Sequence, residues 1–216
     1  MTPFRWLSVA RSARSLRGLE LQVGSRVKVD ADRIPGDVRT AIDAEAKALA
    51  PLDFALCCHE RVQPLIRARC VDVWGATLWN EPWRTFAVLT ASPAPGARRP
   101  VRVHFWSLLR DGSRLLTTDG EPGALIGEDP CTEACDRPAP TLASQCAAHF
   151  DRLCVLPPSR HPVRATAGEL ADSARDDART RLEGLTASGD LVATDDGTWR
   201  FTARGTLRHA RSPLRG

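Results

Sequence analysis

The stretch Val101-Arg102-Val103-His104-Phe105-Trp106-Ser107-Leu108-Leu109-Arg110-Asp111-Gly112-Ser113-Arg114-Leu115-Leu116-Thr117-Thr118 decides the fold. Val101, Val103, Phe105 and Leu109 share one face of a period-two pattern, Asp111-Gly112 interrupts it, and Arg114-Leu115-Leu116-Thr117 returns. An Asp-Gly pair between two such runs is the strongest short-range hairpin signal. Upstream, Phe54, Leu56, Cys58 and Val62 alternate with Ala55, Cys57, His59 and Arg61, and further strand-like runs occupy 67–74 and 84–91. Pro93, Pro95, Gly96 and Pro100 punctuate the connection into the hairpin. The economical reading of 54–118 is a mostly antiparallel meander of four or five strands.

Helices flank this meander, which makes the fold class α+β. Gly36–Ala50 places Val38, Ile42, Ala46 and Leu49 on one stripe between Pro35 and Pro51, and a short strand precedes it at Leu21–Val29. Residues 119–140 form a long Gly-, Pro- and acid-rich connection. Thr141–Leu156 then reads as a helix, with Leu142, Cys146, His149 and Leu153 near one face and Pro157-Pro158 ending it. In the last third, Thr166-Ala167-Gly168-Glu169 has the spacing of a capping box and Leu170, Ala174, Ala178, Leu182 and Leu185 continue a stripe to Gly189. Leu191–Thr202 around Asp195-Asp196-Gly197 reads as a second hairpin, and Ala203–Ala210 begins a terminal helix. Three parts result: a basic arm over 1–19, a sheet domain over 20–156, and a helix-plus-hairpin unit over 160–212.

The chain has 216 residues, 43% of them hydrophobic and 26% charged, enough for one substantial core or two small ones. No run approaches the roughly 20 apolar residues of a spanning helix, so no transmembrane segment is expected. Arg outnumbers Lys by 28 to 2, and the charge is uneven. Residues 1–28 carry +5, residues 197–216 carry +5, and the middle carries −6. Basic ends of this kind suit an acidic protein surface, nucleic acid, or peripheral contact with an anionic membrane, where Phe4, Trp6 and Leu7 would add apolar anchors. Seven cysteines and no secretory signal argue against a disulfide framework and point to the cytoplasm.

Four constellations bear on chemistry or binding. Cys131, Cys135, Cys146 and His149 have a spacing that could bring four tetrahedral ligands together; the expectation is no cofactor and unmetallated packing, with a structural zinc as the alternative. Cys57-Cys58-His59 offers a thiol beside an imidazole, the basis of a cysteine-dependent enzyme reading. The chain has no P-loop, Rossmann glycine fingerprint, nucleophile elbow or His-Glu-x-x-His motif, which leaves no catalytic residue to nominate. Trp74, Trp79 and Trp83, in a stretch that reads as turn-like, are candidate contacts for a protein partner. Arg200, Arg204, Arg208 and Arg211 recur at helical spacing and are candidate contacts for nucleic acid or another polyanion.

Leu182–Gly205, through Gly189-Asp190-Leu191-Val192 and Trp199-Arg200-Phe201-Thr202-Ala203-Arg204-Gly205, resembles the recognition-helix-to-wing passage of bacterial winged-helix transcription regulators. The resemblance implies DNA-backbone contacts from Arg175, Arg179 and Arg181 on the helix and from Arg200 and Arg204 by the wing. Asp172, Asp176, Asp177 and Glu183 on the same helix depart from that pattern. More of the chain is similar to uncharacterised bacterial proteins that combine an antiparallel-sheet domain with such a unit, a group that supplies no activity. The function expected from these readings is a non-enzymatic protein-interaction or regulatory module. The alternatives are a nucleic-acid-binding regulator and a zinc-stabilised protein or cysteine-dependent enzyme.

Overall fold

The Asp-Gly hairpin organises the sheet. In the computed structural model, which describes residues 14, 16–63, 73–91, 101–118, 132–136 and 141–211, β6 (Val101–Leu108) and β7 (Arg114–Thr118) pair antiparallel with Phe105 opposite Thr117. Gly112 takes φ +82° at the turn, a left-handed conformation that glycine adopts without a Cβ clash. Before this hairpin come β3 (Phe54–Gln63), β4 (Val73–Asn80) and β5 (Thr85–Ala91), each antiparallel to the next. These five strands form an antiparallel meander of the expected kind, but the run expected over 67–74 is not one of them: residues 67–72 lie outside the described residues, and the strand found here is Val73–Asn80. Two edge strands extend it to seven: β2 (Ser25–Val29) beside β3, and β8 (Thr132–Asp136) parallel to β7.

Helices α1 (Gly36–Leu49) and α2 (Leu142–Cys154) cover one face. Ile42 and Leu49 of α1 and Leu142 and Cys146 of α2 bury against Phe54, Ala76, Leu78, Leu89, Val103 and Phe105. Removing a side chain of this size from water is worth roughly 1.5–3 kcal/mol, so this layer dominates the stability of the unit. On the other face, α3 (Ala167–Ala187) sets Leu170 against Phe86 and Val88. There the buried Arg114 donates to the Ser173 hydroxyl at 2.8 Å and to Thr132 Oγ1 at 3.1 Å. The capping box forms as its spacing predicts, with Thr166 N donating to Glu169 Oε2 at 2.7 Å and Glu169 N to Thr166 Oγ1 at 3.2 Å.

The chain divides into two compact units. One runs from Arg26 to Ser173 and holds the seven-stranded sheet. The other takes the described residues up to Ser25 together with those from Ala174 onward. It has its own three-stranded sheet, in the order β1 (Glu20–Leu21), β10 (Trp199–Phe201), β9 (Leu191–Ala193), followed by α4 (Ala203–Arg211). The single strand expected over Leu21–Val29 is therefore two strands, one in each sheet. The helix-strand-strand-helix arrangement resembles a winged-helix motif. Among the described residues no helix is long and apolar enough to cross a membrane.

Several expectations are corrected. The stretch from Trp74 that reads as turn-like is strand β4, and the turn is confined to residues 81–84. Gly75 and Asn80 gave it a loop-like composition, yet both are buried in the sheet. The alternation across β3 breaks at a bulge between Leu56 and Cys58, after which Cys58 lies opposite Thr77 and His59 opposite Ala76. Cys58 and Leu56 consequently occupy different faces.

The structural zinc is also overturned: among the described residues no group of three or more His, Cys, Asp and Glu side chains could hold a metal ion. Cys131 lies outside the described residues. Cys146 is packed in the apolar core, and Cys135 sits on the edge strand β8. Both ring nitrogens of the fully buried His149 are occupied, Nε2 at 3.0 Å from Ser107 Oγ and Nδ1 at 2.9 Å from Thr117 Oγ1. The direction of this chain can be deduced. Thr85 donates to the Trp83 carbonyl, so it accepts from Ser107, and Ser107 in turn accepts from His149 Nε2–H. At the other end Arg152 donates to Thr117 at 2.9 Å, leaving the Thr117 hydroxyl to donate to Nδ1. Burial and the Arg152 charge push the His149 pKa down to about 3, so the ring is neutral.

Candidate functional site

The arginines nominated from sequence cluster on the C-terminal unit, and the local sequence explains how they are presented. Thr202 caps α4, accepting from Gly205 N at 3.0 Å. Gly205, Thr206, His209 and Ala210 then face inward, while Arg204, Leu207 and Arg208 lie exposed at i, i+3 and i+4. Arg211 ends the same helix.

The inward face is held by one carboxylate. Asp190, 1% exposed, accepts from Arg208 Nη1 at 2.9 Å, and His209 Nε2 stands 3.9 Å from the same oxygen. Its backbone carbonyl accepts from Thr202 N at 3.0 Å. Burial is the larger influence on His209 and lowers its pKa, with Asp190 opposing. Nothing in the sequence marks Asp190 as buried, because an acid after the helix-ending Gly189 reads as a solvated turn residue.

The four arginines are thus unequal. Arg200 pairs with Glu20 across the β1–β10 ladder, and Arg208 is tied to Asp190, although each keeps more than half its side chain exposed. Arg204 is exposed. The tip of the β9–β10 hairpin carries Asp195 and Asp196, both exposed, with Asp196 accepting from Thr194 and Thr198 hydroxyls. Leu207 is also exposed on α4.

The three tryptophans do not form one patch. Trp74 packs against the helix-side core, whereas Trp79 packs on Phe86 across the opposite face and donates its indole N–H to Glu81 at 2.6 Å. Trp83 alone sits in the surface turn, where its ring stacks on Phe150 at 4.4 Å and 8°. Asn80 builds that turn: buried in the sheet, it accepts from Trp83 N at 2.8 Å and donates to the Leu52 carbonyl at 2.7 Å. Replacing Asn80 with alanine strands both backbone groups and is expected to cost about 1–3 kcal/mol of sheet-unit stability. Urea unfolding followed by circular dichroism would measure it, and a change below about 0.5 kcal/mol would show that the turn forms without this side chain.

Cys57 and Cys58 lack the features of an activated nucleophile. Burial raises the Cys57 pKa, helped by Glu60, and pushes Cys58 up to about 12, again with Glu60 adding to it. His59 lies on the helix side of the sheet, 3.5 Å from Asp43. Glu60 itself is buried and accepts from Arg26 at 2.7 Å. No protein-family model, curated protein or solved structure matches the chain.

Proposed function

We propose that the protein is a protein-interaction module whose C-terminal unit docks on an acidic partner surface through the outer face of α4. The observation that carries this reading is that exposed Leu207 shares the outer face of α4 with exposed Arg204 and Arg208, at i+3 from the first and next to the second. An apolar residue flanked by arginines is the anatomy of a protein interface, where the centre is desolvated and Arg is enriched. The matching partner surface has an apolar pocket edged by carboxylates.

The winged-helix likeness favours a second reading, binding of duplex DNA. Against it, Asp195 and Asp196 stand exposed at the hairpin tip. Acids at the tip repel phosphate.

A photo-crosslinking amino acid at position 207 in the full chain separates the two. The expected result is a discrete protein adduct in cells that is lost with Arg204→Glu and is not seen from position 155, exposed on the other unit. Absence of any adduct, together with duplex binding whose affinity falls with a log–log salt slope near −4, would move the assignment to nucleic acid.

A further inference from the structure

The sheet unit carries an open cleft of about 540 Å³ whose walls include Trp83, Arg84, Arg110, Leu153, His161 and Pro162. Its size lies in the range of about 300–1,000 Å³ typical of small-molecule sites. The floor is built where residues 161–163 run beside the end of β6, with Arg110 N donating to the His161 carbonyl at 3.1 Å and Val163 N to the Leu108 carbonyl at 2.9 Å. Among the described residues no carboxylate lines the cleft.

The acids next to it in sequence are occupied elsewhere. Glu81 accepts from Trp79 and faces Arg164 at 3.5 Å. Asp111 accepts from Ser113 N and from Arg160 Nε, each at 2.9 Å, and Arg160 also holds Glu133 at 2.7 Å. By contrast, the Arg110 guanidinium has no ion pair among the described residues. Arg84 uses Nη1 on the Pro162 carbonyl at 3.0 Å and keeps its remaining donors. The neighbouring charges are arranged so that the cleft stays cationic.

Two further observations point to a ligand with a flat body. Trp83 stacks on Phe150 through one ring face yet remains 36% exposed, which leaves aromatic surface to the cleft. Arg84 is held at φ +50°, a left-handed conformation that glycine would adopt more easily. Strained residues of this kind concentrate at binding sites.

We propose that this cleft binds a small planar organic anion, its apolar body stacked on Trp83 and its carboxylate or phosphate held by Arg84 and Arg110. This inference is independent of the α4 docking surface, since it rests on other residues. The test uses the full chain with four probes: 1-naphthoate, 1-naphthyl phosphate, neutral 1-naphthalenemethanol and inorganic phosphate. Binding is read by calorimetry and by the alkylation rate of Cys154, an exposed thiol in the cleft wall, against Cys57, which lies outside it.

At least one naphthyl anion is expected to bind, to slow Cys154 alkylation tenfold or more at saturation, and to leave Cys57 unchanged. The better of the two identifies the head group. Arg110→Ala is expected to weaken binding at least tenfold without altering the melting temperature. Arg84→Gly removes a cation while relieving backbone strain, so affinity should fall as the melting temperature holds or rises; a purely structural Arg84 would leave affinity unchanged. Failure of both anions at millimolar concentration overturns the proposal, as does equal binding of the neutral alcohol or unaltered affinity in Arg110→Ala.

Discussion

Gly205→Ala is expected to unfold the C-terminal unit while leaving the seven-stranded sheet intact. A Cβ at this position would fall inside contact distance of the Asp190 carbonyl oxygen, carbonyl carbon and Cα. All three are backbone atoms at the start of β9, fixed by the Thr202 N–H bond to the same carbonyl, so no side chain can rotate away. Relief requires α4 to lift, which breaks the Arg208 contact and uncovers Asp190. Overpacking against backbone together with exposure of a buried ionic contact costs about 3 kcal/mol or more. Hydrogen exchange would show protection lost over residues 190–211 and retained in β4–β6. Gly184→Ala is the control: it is exposed in the last turn of α3 with open space around it, and alanine there should stabilise by up to about 1 kcal/mol. Equal, small effects at the two glycines would disprove the close approach.

The second large effect is acid destabilisation beginning well above the carboxylate range. Burial pushes His104 down to about 4, with Arg26 and Arg102 adding to it, and His149 to about 3. His104 Nδ1 is buried with no hydrogen-bond partner, and both His149 nitrogens are committed to hydroxyls. The unfolded chain protonates these rings near pH 6.5 while the native state refuses the proton, so stability falls as pH drops from 6.5 toward 4 for His104 and toward 3 for His149. At pH 5 the loss is about 2 kcal/mol for each histidine. Asp and Glu titrate mostly below this window, which makes the interval from pH 6.5 to 5 diagnostic of imidazole. His149→Gln should lower stability at pH 7 and remove about half of the slope. A wild-type stability flat across that interval would contradict the assignment of neutral buried rings.

The meander was legible because its signals are local. The Asp-Gly turn and the alternation of Val101, Val103 and Phe105 need no knowledge of distant residues, and the Thr166–Glu169 capping box spans only four positions. Three kinds of feature were not legible. Strand β8 is a short polar run, Thr132-Glu133-Ala134-Cys135-Asp136, whose only structural reason is the exposed edge of β7. His149 carries the same residue type whether it binds metal or satisfies Ser107 and Thr117, and only the tertiary neighbours distinguish the two. The cleft draws on Trp83, Arg110 and His161, which are far apart in sequence and meet through sheet topology. Helical spacing puts Arg204 and Arg208 on one exposed face of α4, but does not foresee that Asp190 claims Arg208.

Strand β1 pairs with β10 across a sequence separation of 180 residues, Leu21 facing Trp199 and Glu20 facing Arg200. During synthesis, the small three-stranded sheet has to wait for its central strand until residues 199–201 have been translated, whereas the seven-stranded sheet has all its strands once β8 emerges. Excised fragments inherit the same dependence. A piece beginning near residue 160 would lack β1 and show the open edge of Trp199–Phe201, a template for adding strands from other molecules, so such fragments should aggregate unless the first strand is supplied in trans.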